Sequence, residues 1–172
     1  MNKSTGFSLI ELMVVVALAA ILLGIGIPSF TNTIKDNRLT SQANTLLTSL
    51  TLARSEAIKR RKSVTVCPTT DQGDSCTDTT SWEIGWAVFV DSDGDGTRGS
   101  EELVQLYPAL EANNTLTGSR NAIRFGDDGL ASGFNGTWTL CDDRGAAKAK
   151  GIIVSNTGRA RVAQDSDNLA CP

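Results

Sequence analysis

The chain has 172 residues, 16 Lys and Arg against 19 Asp and Glu, no His, and a formal net charge of −3. The lack of His excludes Ser-His-Asp triads, Cys-His dyads and His-ligated zinc, and the acidic balance excludes coating nucleic acid by bulk charge, so such a role needs a local basic patch. Hydrophobic residues at 40% and charged residues at 20% describe a folded chain, neither disordered nor polytopic in a membrane.

The first element is an apolar run over 7–27, interrupted by a single charge, Glu11. As a helix it spans roughly 31 Å, the thickness of a bilayer core. One reading is a cleaved secretory signal, with Ala17-Leu18-Ala19 as the small-x-small site, but apolar residues continue from Ala20 to Ile27 and Glu11 interrupts the run. A plain membrane anchor explains the length but not the acid. At the end of the run stand Gly24, Gly26 and Pro28. They predict either a helix end at the proline or a segment that kinks or melts.

A third reading accounts for more of these residues. Lys3-Ser4-Thr5-Gly6-Phe7-Ser8-Leu9-Ile10-Glu11-Leu12 resembles the class III signal of type IV pilins and type II secretion pseudopilins. The resemblance implies that a prepilin peptidase cuts between Gly6 and Phe7 and that Phe7 is then N-methylated. It makes Glu11 the fifth residue of the mature chain, and it favours the kinking or melting segment over a simple helix end. Residues 1–6 would be a leader, 7–28 a helix that is first a transmembrane anchor and later filament core, and 29–172 a periplasmic globular domain. Cleavage creates a positive amine on Phe7, and a carboxylate on a neighbouring subunit, Glu11, pairs with it where water is excluded.

Next along the chain, Leu39, Ala43, Leu46, Leu50, Ala53 and Ala57 recur at steps of three and four. They predict an amphipathic helix over 36–61 whose apolar seam packs on the protein's own sheet. The stretch 52–60 resembles the corresponding helix of the GspH/FimT/FimU group of minor pilins and minor pseudopilins. Lys59-Arg60-Arg61-Lys62 falls at the predicted helix end, where positive charge complements the helix dipole; a nucleic-acid or lipid contact is the rival reading.

From Ser63 onward, short β-rich runs appear at 64–67, 85–90, 103–107, 122–125, 137–141, 152–155 and 159–162, separated by Gly, Asp, Asn and Ser. The expected fold is α+β and pilin-like, a long N-terminal helix with its second half packed on antiparallel β-sheet. Cys67, Cys76, Cys141 and Cys171 are even in number behind an export signal, which favours disulfides. Three pairings exist; Cys67–Cys76 with Cys141–Cys171 is preferred because neighbours along the chain are joined.

Asp91-Ser92-Asp93-Gly94-Asp95-Gly96 with Glu102 meets the spacing of an EF-hand calcium loop. Against it, Arg98 stands where such loops carry an apolar residue, and the flanks read as strands. An Asp/Gly hairpin turn that bonds its own backbone is the preferred reading, with no metal and no cofactor assigned. In Gly158-Arg159-Ala160-Arg161, the two arginines share one face of an extended chain and suit phosphate recognition. The motif matches the GRxR of DNA-binding members of the FimT group, which implies a contact to double-stranded DNA in natural transformation, with Arg144, Lys148 and Lys150 extending the patch. The competing reading pairs the arginines with Asp165 or Asp167.

The expected function is that of a minor pilin in type IV pilus assembly and priming. Its partners are major and minor pilins, prepilin peptidase, the inner membrane and, on the second reading, DNA. The alternative is a minor pseudopilin of a type II secretion system. Its place is the inner membrane, with the soluble domain periplasmic, and then the extracellular pilus. No nucleophile–base constellation suggests an enzyme.

Overall fold

The computed structural model describes residues 8–164 and 167–171, with backbone alone for 23–29. Helix α1 (Leu9–Arg60) contributes to two units, Met1–Asn37 and Arg38–Pro172.

In the first unit, Leu12, Met13, Val14, Val15 and Val16 are all exposed. Successive residues advance by 100° around a helix, so these five cover its whole circumference with apolar surface. Among the described residues no helix is long and apolar enough to cross a membrane. Phe7 and the side chains of 23–29 lie outside them. The helix end considered at Pro28 does not occur, because the backbone stays helical through that position. The φ of a proline is itself helical, and one lost hydrogen bond does not stop a helix with long runs on both sides.

In the second unit every residue of the predicted seam is buried, from Leu39 to Ala57. The helix stops because Arg61 takes a left-handed φ of 55° and the Lys62 amide donates to the Ala57 carbonyl at 3.3 Å, a Schellman closure. Lys59 and Arg60 occupy the last turn, as the dipole argument requires.

Two four-stranded antiparallel sheets follow. The first has the order β3-β2-β1-β5, with β1 Val64–Pro68, β2 Trp86–Val90, β3 Leu103–Tyr107 and β5 Ile123–Phe125. The second has the order β4-β6-β7-β8, with β4 Thr115–Gly118, β6 Gly136–Cys141, β7 Lys150–Val154 and β8 Ala160–Val162. The helix seam and apolar residues of both sheets form one core that contains Trp82, Trp86, Phe125 and Trp138. Trp82 meets Trp138 edge-on at 5.6 Å, and Trp86 stacks on Tyr107 at 5.2 Å. Ser49, buried on the helix, accepts a hydrogen bond from Trp86 Nε1 at 3.0 Å and joins helix to sheet.

Seven strands correspond to the predicted runs, β3 with the same ends and the other six with shifted ends; β4 is additional. Its sequence, Thr-Leu-Thr-Gly, holds one apolar residue, Leu116, too little alternation to stand out. Gly85 lies before β2 rather than in it, with φ 103° closing the short 3-10 turn Trp82–Ile84. Both preferred disulfides are present, Cys67–Cys76 and Cys141–Cys171, with Cα–Cα distances of 5.5 and 5.9 Å.

Candidate functional site

Three regions carry the predicted site residues. The expected cleavage pair, Gly6 and Phe7, lies outside the described residues. Glu11 is in the first turn of α1, exposed among exposed apolar neighbours Ile10 and Leu12. A carboxylate at that end is favoured by the helix dipole.

The second region is the turn from β7 into β8. The Ser155 amide donates to the Arg159 carbonyl at 3.0 Å, and the Gly158 amide to the Ser155 carbonyl at 2.9 Å. Gly158 has φ 73°, and a Cβ there would collide with the Gly129 carbonyl oxygen. That same oxygen accepts from Arg54 Nε at 3.1 Å, so the turn is seated on the helix. The glycine of the Gly-Arg-x-Arg motif thus has a structural cause.

The two arginines differ. Arg159 is exposed and makes no side-chain ion pair among the described residues. Arg161 grips Asp167, Nη1 to Oδ2 at 2.8 Å and Nη2 to Oδ1 at 3.1 Å. The guanidinium, together with the Gln164 amide, pulls the Asp167 carboxyl down to about 2, and the carboxylate raises Arg161 in turn. The expected wider patch is dispersed. Arg144 is chelated by Asp142, with Nη2–Oδ2 at 2.7 Å, and is mostly buried. Lys148 and Lys150 are exposed, but Lys150 opens β7, on the order of 16 Å along the strand from the turn that holds Arg159.

The third region is the acidic loop between β2 and β3. Asp91, Asp93 and Asp95 each offer a carboxylate oxygen within 4.8 Å of the others'. Glu102, the twelfth-position candidate, does not join them: both its oxygens bind Arg60, at 2.6 and 3.1 Å. That pairing lowers the Glu102 carboxyl and raises Arg60. Sequence reasoning missed Arg124, whose Nη2 donates to the Gly94 carbonyl and reaches Asp91 Oδ2 at 3.4 Å. No local pattern announces it, since Arg124 lies 33 residues from Asp91 along the chain.

Residues 42–158 match the family described as Type II transport protein GspH, and residues 1–27 match the prokaryotic N-terminal methylation motif. The chain is 47% identical over 47 residues to "Prepilin peptidase-dependent protein D" of Escherichia coli (strain K12), covering 27% of this chain. It spans about a third, 32%, of the length of that curated relative. The fold resembles crystal structures of the type IV minor pilin FimU of Pseudomonas aeruginosa. One, in space group P21, has a TM-score of 0.63 at 20% identity and covers 80% of this chain and 98% of that one. The other, in P65, has a TM-score of 0.60 at 18% identity and covers 77% and 99%.

Proposed function

From the premise that the chain belongs to the GspH family and carries the N-terminal methylation motif, we propose that it is a minor pilin, assembled into a type IV pilus through the first part of α1. The observation that carries this reading is the apolar circumference around Leu12–Val16 with Glu11 as its lone acid. A helix apolar on every face needs a non-aqueous surrounding, either lipid or a sheath of other helices. The inner membrane supplies the first and the filament core the second. The periplasmic domain is then carried outward on the pilus.

On this reading prepilin peptidase cuts after Gly6, and the N-methylated amine of Phe7 on one subunit meets Glu11 of the next. In a water-excluding core an unpaired member of such a pair is penalised, so the contact sets axial register more than it supplies affinity. The role is structural rather than enzymatic. Glu11→Ala should fold and insert as the wild type does yet be depleted from sheared pilus fractions. Wild-type incorporation of that variant, or a mature N-terminus other than methylated Phe7 by mass spectrometry, contradicts the proposal.

The neighbouring assignment is a minor pseudopilin of type II secretion. Deleting the gene and scoring surface pili, secretion and DNA uptake in parallel separates them: loss of pili with intact secretion supports the pilus. A DNA contact in natural transformation is the second binding role. Its support is Arg159, exposed beside the seated turn, with Arg161 able to join only by releasing Asp167. If double-stranded DNA binds there, Arg159→Ala weakens it across sequences and lowers the salt slope by about 1, and adding Arg161→Ala lowers it by about 1 more. A gel shift at low salt that the double variant leaves unchanged removes this role.

A further inference from the structure

We propose that the loop between β2 and β3 binds a calcium ion through Asp91, Asp93 and Asp95, a different ligand set from that of an EF-hand. The proposal stands independently of pilus assembly.

The loop starts from a fixed point. The Asp91 amide donates to the Ser63 carbonyl at 2.9 Å, and its side chain is fully buried. Oδ2 accepts from Thr65 Oγ1 at 2.6 Å and receives a longer contact from Arg124. Oδ1 is buried and has no hydrogen-bond partner. A buried carboxylate oxygen left in that state is costly, and a coordinated cation removes the cost. Asp91 already contributes an oxygen to the cluster with Asp93 and Asp95.

The other two carboxylates keep capacity for an ion. Asp95 Oδ1 accepts from the Thr97 amide at 2.6 Å, and Asp93 Oδ1 accepts weakly from the Asp95 amide at 3.4 Å. These local bonds occupy one oxygen of each side chain. Gly94 and Gly96, at φ 78° and 77°, allow the chain to fold back so that alternate side chains converge. The loop is tied down at its far side, where the Cys76 amide donates to the Gly96 carbonyl at 2.9 Å, next to the Cys67–Cys76 disulfide.

Charge and donor type select the ion. Three carboxylates less the Arg124 guanidinium leave a formal charge of two minus, which one divalent cation neutralises. The donors are all oxygen, which disfavours zinc and copper. Oxygens within 4.8 Å of one another are spanned by calcium bonds of about 2.3–2.6 Å, and the open loop tolerates the irregular geometry that magnesium resists. Extracellular calcium modules have Kd values of about 10⁻⁴–10⁻³ M.

The test uses the full chain in detergent micelles, stripped with chelator and then melted in calcium chloride or magnesium chloride at equal concentration. With calcium about tenfold above Kd, Tm should rise by roughly 3–6 °C, a rise that chelator reverses. Asp93→Asn with Asp95→Asn, both on the exposed loop, should fold and lose the rise. Glu102→Gln should keep it, because Glu102 belongs to Arg60. No rise in the wild type, an equal rise in magnesium, a rise that survives Asp93→Asn/Asp95→Asn, or loss of the rise in Glu102→Gln each overturns the proposal.

Discussion

Arg60 and Glu102 are joined two-to-two: Nη1 lies 2.6 Å from Oε2 and Nη2 lies 3.1 Å from Oε1. The pair ties the last residue of α1 to the residue that precedes β3. Arg60 also reaches Glu56 one turn back, Nε to Oε2 at 2.5 Å, and both glutamates are held below their ordinary range by this guanidinium. Glu102 is exposed, so solvent screens the pair. Arg60→Ala should therefore lower Tm slightly, more than Glu102→Gln does because it frees two acids, and the difference should shrink in 1 M salt. Equal effects of the two variants in low-salt melting scans would contradict this.

Acid should loosen the C-terminal tail in a defined window. Asp167 has its carboxyl depressed to about 2, chiefly by Arg161. A depressed carboxyl contributes stability that is complete above its unfolded value, about 3.8–3.9, and is lost as pH falls through about 2. Asp71, hydrogen-bonded by Ser75 and Thr69, is lowered still further and acts in the same direction. Circular dichroism melts between pH 5 and pH 2 should show a falling Tm, and Asp167→Asn should flatten the lower part of that fall.

Ser49→Ala tests the buried link between helix and sheet. Its hydroxyl accepts from Trp86 Nε1 and itself donates to the Leu46 carbonyl at 2.8 Å. Removing it leaves an indole N–H buried without a partner, a loss of about 1–3 kcal/mol. Denaturant titration followed by tryptophan fluorescence should show a lower midpoint with an unchanged slope.

Gly158→Ala should destabilise the fold, whereas Arg159→Ala should not. Alanine at φ 73° is strained by about 1–3 kcal/mol, and here its Cβ also strikes the Gly129 carbonyl. Arg159 is exposed and leaves no buried group behind when truncated. A thermal melt of both variants separates them, and it shows whether any loss of DNA binding in a glycine variant is a folding effect.

Much of this architecture was legible in the residue order, because the signals involved are local. Spacing of three and four placed Leu39 to Ala57 on one helix face, and burial of all six follows from that periodicity. Apolar β-rich runs between turn residues located seven strands, and the disulfides joined cysteines near one another along the chain. The motif around Gly6, Phe7 and Glu11 is likewise contiguous. Side-chain pairing was not legible. Glu102 occupies the twelfth position of a calcium pattern yet turns to Arg60, which is 42 residues away. Arg124 reaches Asp91 because β1 pairs with both β2 and β5. The Arg161–Asp167 pair is the exception: its members stand six residues apart, and their nearness along the chain already offered this pairing as the rival to a DNA contact. Periodicity and propensity act over a few residues, whereas the partner of a charge depends on sheet register and loop closure, which exist only after distant segments have packed.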